Sequence, residues 1–261
     1  VTEPAELFPQ AQPEAYGIPP GIEVLRGSEL VKFYGERQVV KGVSLHVNRG
    51  EIVGLLGPNG AGKTTTFYML VGLVKPNAGQ IFLSGENVAH MPMYRRARRG
   101  IGYLPQEESI FRKLSVEDNI MAILETLDMT HEQRRDRVEQ LLGEFNIHQV
   151  RKSKAYTLSG GEKRRLALAR CLTIQPSVLL LDEPFSGVDP IAVHDIQQII
   201  LRLRDQGIGI LITDHNVRET LNVVDRAYLI CEGRVESEGD ANFLINDPVA
   251  RELYLGDRFT L

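Results

Sequence analysis

Gly57-Pro58-Asn59-Gly60-Ala61-Gly62-Lys63-Thr64 puts a lysine and a hydroxyl directly behind a run of glycines. The order G-x-x-x-x-G-K-[ST] is that of a loop that holds phosphate with its own backbone. Its glycines let consecutive N–H groups turn inward, Lys63 reaches the β- and γ-phosphates, and the Thr64 hydroxyl ligates Mg²⁺. Thr65 carries the loop into a helix whose N-terminus adds positive potential. A plain glycine-rich turn is the alternative, but every fixed position of the pattern is filled, with a strand-like run before it and a helix-like run after it.

A triphosphate site of this kind needs acid near the metal. Val178-Leu179-Leu180-Leu181-Asp182-Glu183 ends an apolar run in two adjacent carboxylates. Asp182 would hold Mg²⁺ through water, and Glu183, one residue further and differently oriented, would take the proton of an attacking water. Taken alone, the pair fits a solvated strand end equally well, and only the phosphate loop makes it chemical. Ser159-Gly160-Gly161-Glu162 opens a third candidate: a serine in N-cap position and two glycines expose backbone N–H groups at the start of a helix, a second anion site. A capping segment with no ligand fits the same residues.

The elements that must position these groups alternate. Val43 to Val47 reads as a strand, Ile52 to Leu56 as one buried on both faces, residues 62–73 as a helix, and Gln80 to Leu83 and Gly100 to Leu104 as further strands. Residues 115–152 change character: Val138, Leu141, Leu142 and Phe145 keep helical spacing, and no strand is evident. Alternation resumes with strands at Val178 to Leu181 and Gly209 to Thr213, separated by a helix that carries Val193, Ile196, Ile200 and Leu203 on one face. This pattern predicts an α/β domain. The first 25 residues hold five of the 13 prolines and follow neither period, so an irregular tail is expected there.

The 261 residues carry a formal charge of −4, with 25% charged and 43% hydrophobic residues, an ordinary globular composition. No basic excess favours nucleic acid or an anionic lipid surface. Arg95, Arg96, Arg98 and Arg99 form a dense basic run that reads best as a solvated helical face. No apolar run approaches the roughly 18 to 20 residues of a membrane span, and the N-terminus lacks a basic-then-apolar pattern, so a cytoplasmic location is expected. Cys171 and Cys231 read as reduced core thiols. His90, His131, His148 and His194 show no metal-ligand spacing.

Leu158-Ser159-Gly160-Gly161-Glu162, with the phosphate loop and Asp182-Glu183, resembles the ATP-binding-cassette family, whose signature reads LSGGQ or LSGGE. Further matches follow in family order: Gln106 in Tyr-Leu-Pro-Gln, Ser186-Gly187-Val188-Asp189, and His215 in Thr-Asp-His-Asn. The likeness spans residues 26–261 and implies a P-loop NTPase of RecA-like fold. Its parallel-sheet core, with an antiparallel β part, would comprise residues 26–106 and 158–261, and a helical subdomain about residues 107–157. Glu162 stands for the commoner Gln, and Cys171 for a small residue.

The resemblance also implies roles. Gln106 would sense Mg²⁺ and the γ-phosphate, His215 would bond the γ-phosphate and position the water, and Asp189 would lie at a subunit contact. Either Tyr34 or Phe33 would stack on adenine, with core packing the alternative for both. ATP and Mg²⁺ are the implied ligands. The phosphate loop of one subunit would face Ser159, Gly160, Gly161 and Glu162 of another, making a homodimer around two ATPs. Transmembrane permease subunits would dock near Ile110 and Phe111, although a local core contact fits those two side chains as well. The chain would then sit on the cytoplasmic face of the inner membrane and touch the membrane only through partners.

Residues 57–69, 98–107, 212–221 and the ending 254–257 most resemble the lipopolysaccharide-export branch of the family, with branched-chain amino-acid importers next. A chromosome-maintenance or translation ATPase of the same superfamily would carry a long coiled-coil insertion or two cassettes, whereas here 51 residues separate Gln106 from Leu158. A P-loop kinase would lack the signature and His215.

Overall fold

The computed structural model describes residues 21–107, 109–256 and 259. An antiparallel sheet in the order β2-β1-β4-β5 is built from β1 (Glu23–Tyr34), β2 (Arg37–Asn48), β4 (Ala78–Leu83) and β5 (Glu86–Asn87). The second sheet runs β10-β9-β3-β8-β7-β6, from β3 (Ile52–Leu56), β6 (Ile101–Leu104), β7 (Val178–Asp182), β8 (Gly209–Thr213), β9 (Arg226–Cys231) and β10 (Arg234–Gly239). All its pairings are parallel except that of the edge strand β10 with β9.

The expected tail is shorter than the sequence suggests. β1 begins at Glu23 because Val24 and Leu25 are buried and Leu25 pairs with both Val47 and Leu83. Residues 1–20 of that tail lie outside the described residues.

Successive side chains of the parallel strands enter two different cores, as a sheet covered on both faces requires. Ile52, Leu179, Leu181, Ile210 and Ile212 face a core shared with α3 (Val116–Leu124), α4 (His131–Glu144), α5 (Gly160–Cys171) and α6 (Pro190–Asp205). Val53, Leu55, Val178, Leu180 and Leu211 face the antiparallel sheet and α1 (Lys63–Val71). Residues 115–157 hold α3, α4 and short 3₁₀ turns, with one bridge between Ser115 and Lys154. α3, α4 and α5 each start on a capping box, Ser115 with Asp118, Thr130 with Gln133 and Ser159 with Glu162, which closes two orphan N–H groups per helix. No helix among the described residues is long and apolar enough to cross a membrane.

The basic run is not uniformly solvated. Arg95 and Arg98 flank the exposed Tyr94 ring, and Arg99 pairs with Glu86 at 2.7 Å, but Arg96, on the short α2 (Met93–Ala97), is buried. Its guanidinium donates to the Met69 and Leu70 carbonyls at 2.7 Å, to Met91 at 2.9 Å and to Ala89 at 3.1 Å. Two of those carbonyls belong to the last turn of α1, so a positive charge closes the end of the helix that starts at the phosphate loop. Burial lowers the Arg96 pKa to about 10, still fully protonated at neutral pH. Arg96→Met keeps the aliphatic stem but strands four carbonyls, and should lower unfolding stability by about 2 kcal/mol or more. Arg95→Met should stay within about 0.5 kcal/mol. Urea denaturation of both variants checks the difference.

Candidate functional site

Strand register brings distant motifs to one edge. Leu55 on β3 and Asp182 on β7 both pair with Thr213 on β8, and Leu181 pairs with Leu104 on β6. The next residues along each strand lead to Gly57, Glu183, His215 and Gln106, all at the carboxyl ends of parallel strands, where α/β sheets place their ligands.

The phosphate loop is shaped by exclusion of side chains. Gly57 has φ +141°, and a Cβ there would lie 2.0 Å from the Ile230 carbonyl oxygen. Gly62 precedes α1 in the left-handed region, 2.9 Å by its notional Cβ from the Val39 oxygen. α1 has no side-chain cap and no acid in its first turn, so its first N–H groups remain open to an anion. Lys63 Nζ donates to the Gly57 and Pro58 carbonyls at 2.5 and 2.9 Å. Burial lowers its pKa, and the Glu183 carboxylate opposes that shift. Thr64 is exposed and Thr65 half-buried. A pocket of about 390 Å³ lies beside Pro58, Asn59, Gly60 and Ala61, walled by Arg37, Gln38 and Lys41 from β2 and by Cys231 and Glu232. Cys231 is thus a wall of this pocket, whereas Cys171 is tucked against the Tyr103 carbonyl at 3.2 Å with its pKa raised by burial to about 12.

Asp182 is buried, and its Oδ2 has no hydrogen-bond partner among the described residues. Burial pushes its pKa up to about 6, against the pull of a Tyr68 hydroxyl. A bare, buried carboxylate oxygen at the mouth of a phosphate loop fits a hard cation, and the oxygen donors of Thr64, Asp182 and Gln106 are of the kind Mg²⁺ takes. Glu183 has φ +48°, unusual for a residue with a side chain, and its N–H donates to Thr213 O at 2.7 Å. Its carboxylate lies between Gln106, whose Nε2 donates to Oε2 at 2.5 Å, and His215, whose Nδ1 is 3.0 Å from Oε1. The structure therefore gathers Gln106, Glu183 and His215 into one cluster. His215 remains largely exposed beside it.

Ser159 and Glu162 bind each other. The Ser159 N–H and hydroxyl both donate to Glu162 Oε2, at 2.9 and 2.8 Å, and the serine oxygen accepts the Glu162 N–H at 3.3 Å. Glu162, grouped with the ligand residues from sequence, is here the carboxylate that holds the serine. Gly160 and Gly161 follow as the first helical residues, and Asp189 caps α6 by accepting the Ala192 N–H at 3.0 Å. Tyr34 and Phe33 are both exposed, so core packing holds for neither ring. Ile110 and Phe111 part company: Ile110 is in the core, while Phe111 is 46% exposed with the Arg170 guanidinium 4.3 Å above its ring.

Arg164 is a site residue that the motifs do not reveal. From α5 it donates to the Pro105, Pro184, Asp182 and Glu183 carbonyls at 2.8 to 3.3 Å, tying the signature helix to the chain around both acids. A faint sign is visible in sequence, since Gly161, Arg164 and Leu168 share one helical face and the outer two are small or apolar.

Residues 40–186 match the family model described as ABC transporter. The chain is 53% identical to the lipopolysaccharide export system ATP-binding protein LptB of Acidithiobacillus ferridurans, over 92% of this chain and 99% of that one. Among solved structures, the ADP conformation of MJ1267, an ATP-binding cassette of an ABC transporter, superposes with TM-score 0.81 at 27% identity, covering 90% of this chain and 100% of that one. The dimeric structure of MJ0796, a bacterial ABC transporter cassette, gives TM-score 0.73 at 26% identity, over 83% and 98% of the two chains. The chain belongs to the ABC transporter family of ATP-binding cassettes. It is an ATPase.

The raised Asp182 pKa has a stability consequence. The folded protein holds the carboxyl proton up to about pH 6 and the unfolded chain releases it near 4, so ionising Asp182 costs stability as pH rises through that window. Asp182→Asn should therefore stabilise the protein by on the order of 2 kcal/mol at pH 8 in EDTA and by little at pH 4. Urea titrations at the two pH values measure this.

Proposed function

We propose that this ATPase powers lipopolysaccharide export as a homodimer bound beneath transmembrane permease subunits on the cytoplasmic face of the inner membrane. The similarity to an LptB protein over nearly the whole chain supports the cargo, and the dimeric cassette among the structural neighbours supports the assembly. A branched-chain amino-acid importer is the competing reading.

The observation that carries the mechanism is the cluster of Glu183 with Gln106 and His215 beside the phosphate loop. Lys63 and the open N–H groups of α1 hold the phosphates, with Gly57, Pro58, Asn59, Gly60, Ala61, Gly62, Thr64 and Thr65 forming the cradle. Mg²⁺, held by Thr64, Gln106 and Asp182, would neutralise phosphate charge. Glu183 accepts the proton of the attacking water, His215 bonds the γ-phosphate, and Tyr34 or Phe33 stacks on the adenine. Ser159 and the N–H groups of Gly160 and Gly161 meet the γ-phosphate held by the second subunit, so nucleotide closes the dimer and hydrolysis releases it. The exposed ring of Phe111 supports a docking point for a permease helix near Ile110, whose own side chain is buried in the core.

Co-purification from detergent-solubilised membranes tests the assembly: permease subunits that carry lipopolysaccharide are the expected catch, and an amino-acid permease would overturn the cargo. Glu183→Gln should keep ATP binding, lose about 10²- to 10⁴-fold in turnover and accumulate as an ATP-bound dimer. Gel filtration with Mg-ATP and a phosphate-release assay check it. Phe111→Ala should leave the melting temperature and ATP hydrolysis of the isolated chain near the parent and weaken permease association by about 1 to 3 kcal/mol. An early melt of the isolated variant would count against the docking role.

A further inference from the structure

Asp214 is the residue before His215 in Thr-Asp-His-Asn. It is 1% exposed, at the end of β8, and each of its carboxylate oxygens has a different task. Oδ2 accepts the Phe185 N–H at 3.1 Å, in the loop that follows Glu183. Oδ1 accepts the Asn216 N–H at 2.8 Å, in the loop that carries His215. One side chain therefore bridges the backbones on which the two groups stand. The circuit is closed by Glu183 N–H on Thr213 O at 2.7 Å and by the 3.0 Å contact between Glu183 and His215.

Glu183 needs such a clamp. A non-glycine residue in the left-handed region persists only where its surroundings over-determine it. Here the N–H groups at positions 183 and 185 are both anchored to β8, one by the Thr213 carbonyl and the other by Asp214. On the other side, Asn216 caps the short helix α7 (Val217–Leu221), so Asp214 also fixes where that helix starts. The requirement is for two acceptors on one short stem. Asparagine has the same shape, but it would turn an NH₂ group toward one of the two N–H donors and break one side of the bridge. Burying a carboxylate among Glu183 and Asp182 is unfavourable, and burial with the Glu183 charge pushes its pKa up against the pull of the two N–H groups and His215. A capping residue alone would not need that charge.

We propose that Asp214 is a positioning residue for hydrolysis, tying the Glu183 loop to the His215 loop so that proton acceptor and imidazole are held in fixed relation. The proposal rests on the roles given above to Glu183 and His215, which the controls test separately. It predicts a loss in kcat with nucleotide binding intact, because the hydrogen bonds of Asp214 go to the Phe185 and Asn216 N–H groups and not to the phosphate loop or its lysine.

The purified full-length chain should be compared with Asp214→Asn, Glu183→Gln, His215→Ala and the Asp214→Asn/His215→Ala double variant. Asp214→Asn is expected to lose about tenfold or more in kcat with KM for ATP within about twofold. Hydrogen exchange should speed up at the amides of Phe185 and Asn216 while the central strands stay protected. The double variant should lose less than the product of the two single losses, since the His215 side of the bridge has nothing left to position. Turnover of Asp214→Asn within about twofold of the parent, a loss that multiplies with His215→Ala, or a rise in KM alone would each overturn the proposal. Parental rates in both Glu183→Gln and His215→Ala would instead overturn the roles beneath it. Should Asp214→Asn fail to fold, Asp214→Glu keeps both acceptors and the charge on a longer stem: a folded variant with reduced kcat and unchanged KM supports the proposal. If that variant also fails to fold, Asp214 is a folding residue and the proposal is overturned.

Discussion

Three carboxylates, Asp182, Glu183 and Asp214, meet at the carboxyl edge of one parallel sheet, and the fold has to keep like charges together in a half-dry place. Asp182 and Asp214 are buried, and both hold their protons more tightly than free carboxyls do. Each acid is managed differently. Asp214 is satisfied by two backbone N–H groups, and Glu183 by an amide and an imidazole. Asp182 keeps one oxygen bare. Arg164 supplies positive charge from behind through the carbonyls of the same loop, at its own desolvation cost. What remains uncompensated among the described residues is the Asp182 Oδ2 oxygen, whose chemistry fits a cation.

The loop opposite has the reverse chemistry, and it too depends on support from other layers. Gly57 is pressed on the Ile230 carbonyl, Gly233 N–H donates to Ala61 O at 2.9 Å, and Lys41 N–H donates to Gly233 O at 2.8 Å. The turn between β9 and β10 thus sits between the phosphate loop and β2 of the antiparallel sheet. Arg96 closes the far end of α1. Positive potential at the head of that helix is held against a braced backbone rather than a mobile turn.

The parts of this site that were legible in the sequence are those whose chemistry demands a residue type at a fixed spacing. Phosphate needs bare backbone and a lysine, and an apolar strand that ends in two acids is conspicuous. Supporting residues were hidden because their role depends on contacts between distant segments. Arg164 looks like one of three basic residues on a helix surface, and Arg96 like one of four in a solvated run, yet both are buried donors to carbonyls. Asp214 reads as a polar residue next to a histidine, and only the register of β7 with β8 shows that it reaches Phe185. Ile110 and Phe111 are adjacent and both apolar, and composition alone cannot tell which faces inward. The irregular tail reads as extending to residue 25 because Val24 and Leu25 follow a proline-rich stretch, while their burial comes from strands that arrive later in the chain.

The contacts within the site also bear on how nucleotide affinity arises. Lys63 is bonded to two carbonyls of its own loop, and Glu183 to Gln106 and His215, so the main charged groups already have partners inside the protein. Phosphates binding there exchange hydrogen bonds rather than add them, and the net gain is the difference between a carbonyl and a phosphate oxygen as acceptor for the same ammonium. In the proposed mechanism Gln106 and His215 would face a similar exchange on turning from Glu183 to phosphate or metal. Releasing Glu183 from both partners would free the carboxylate oxygens that its proposed role as proton acceptor requires. In that mechanism binding and activation of the base would be linked through the same few hydrogen bonds, while the backbone of the Glu183 loop is held by groups outside that exchange, Thr213 and Asp214.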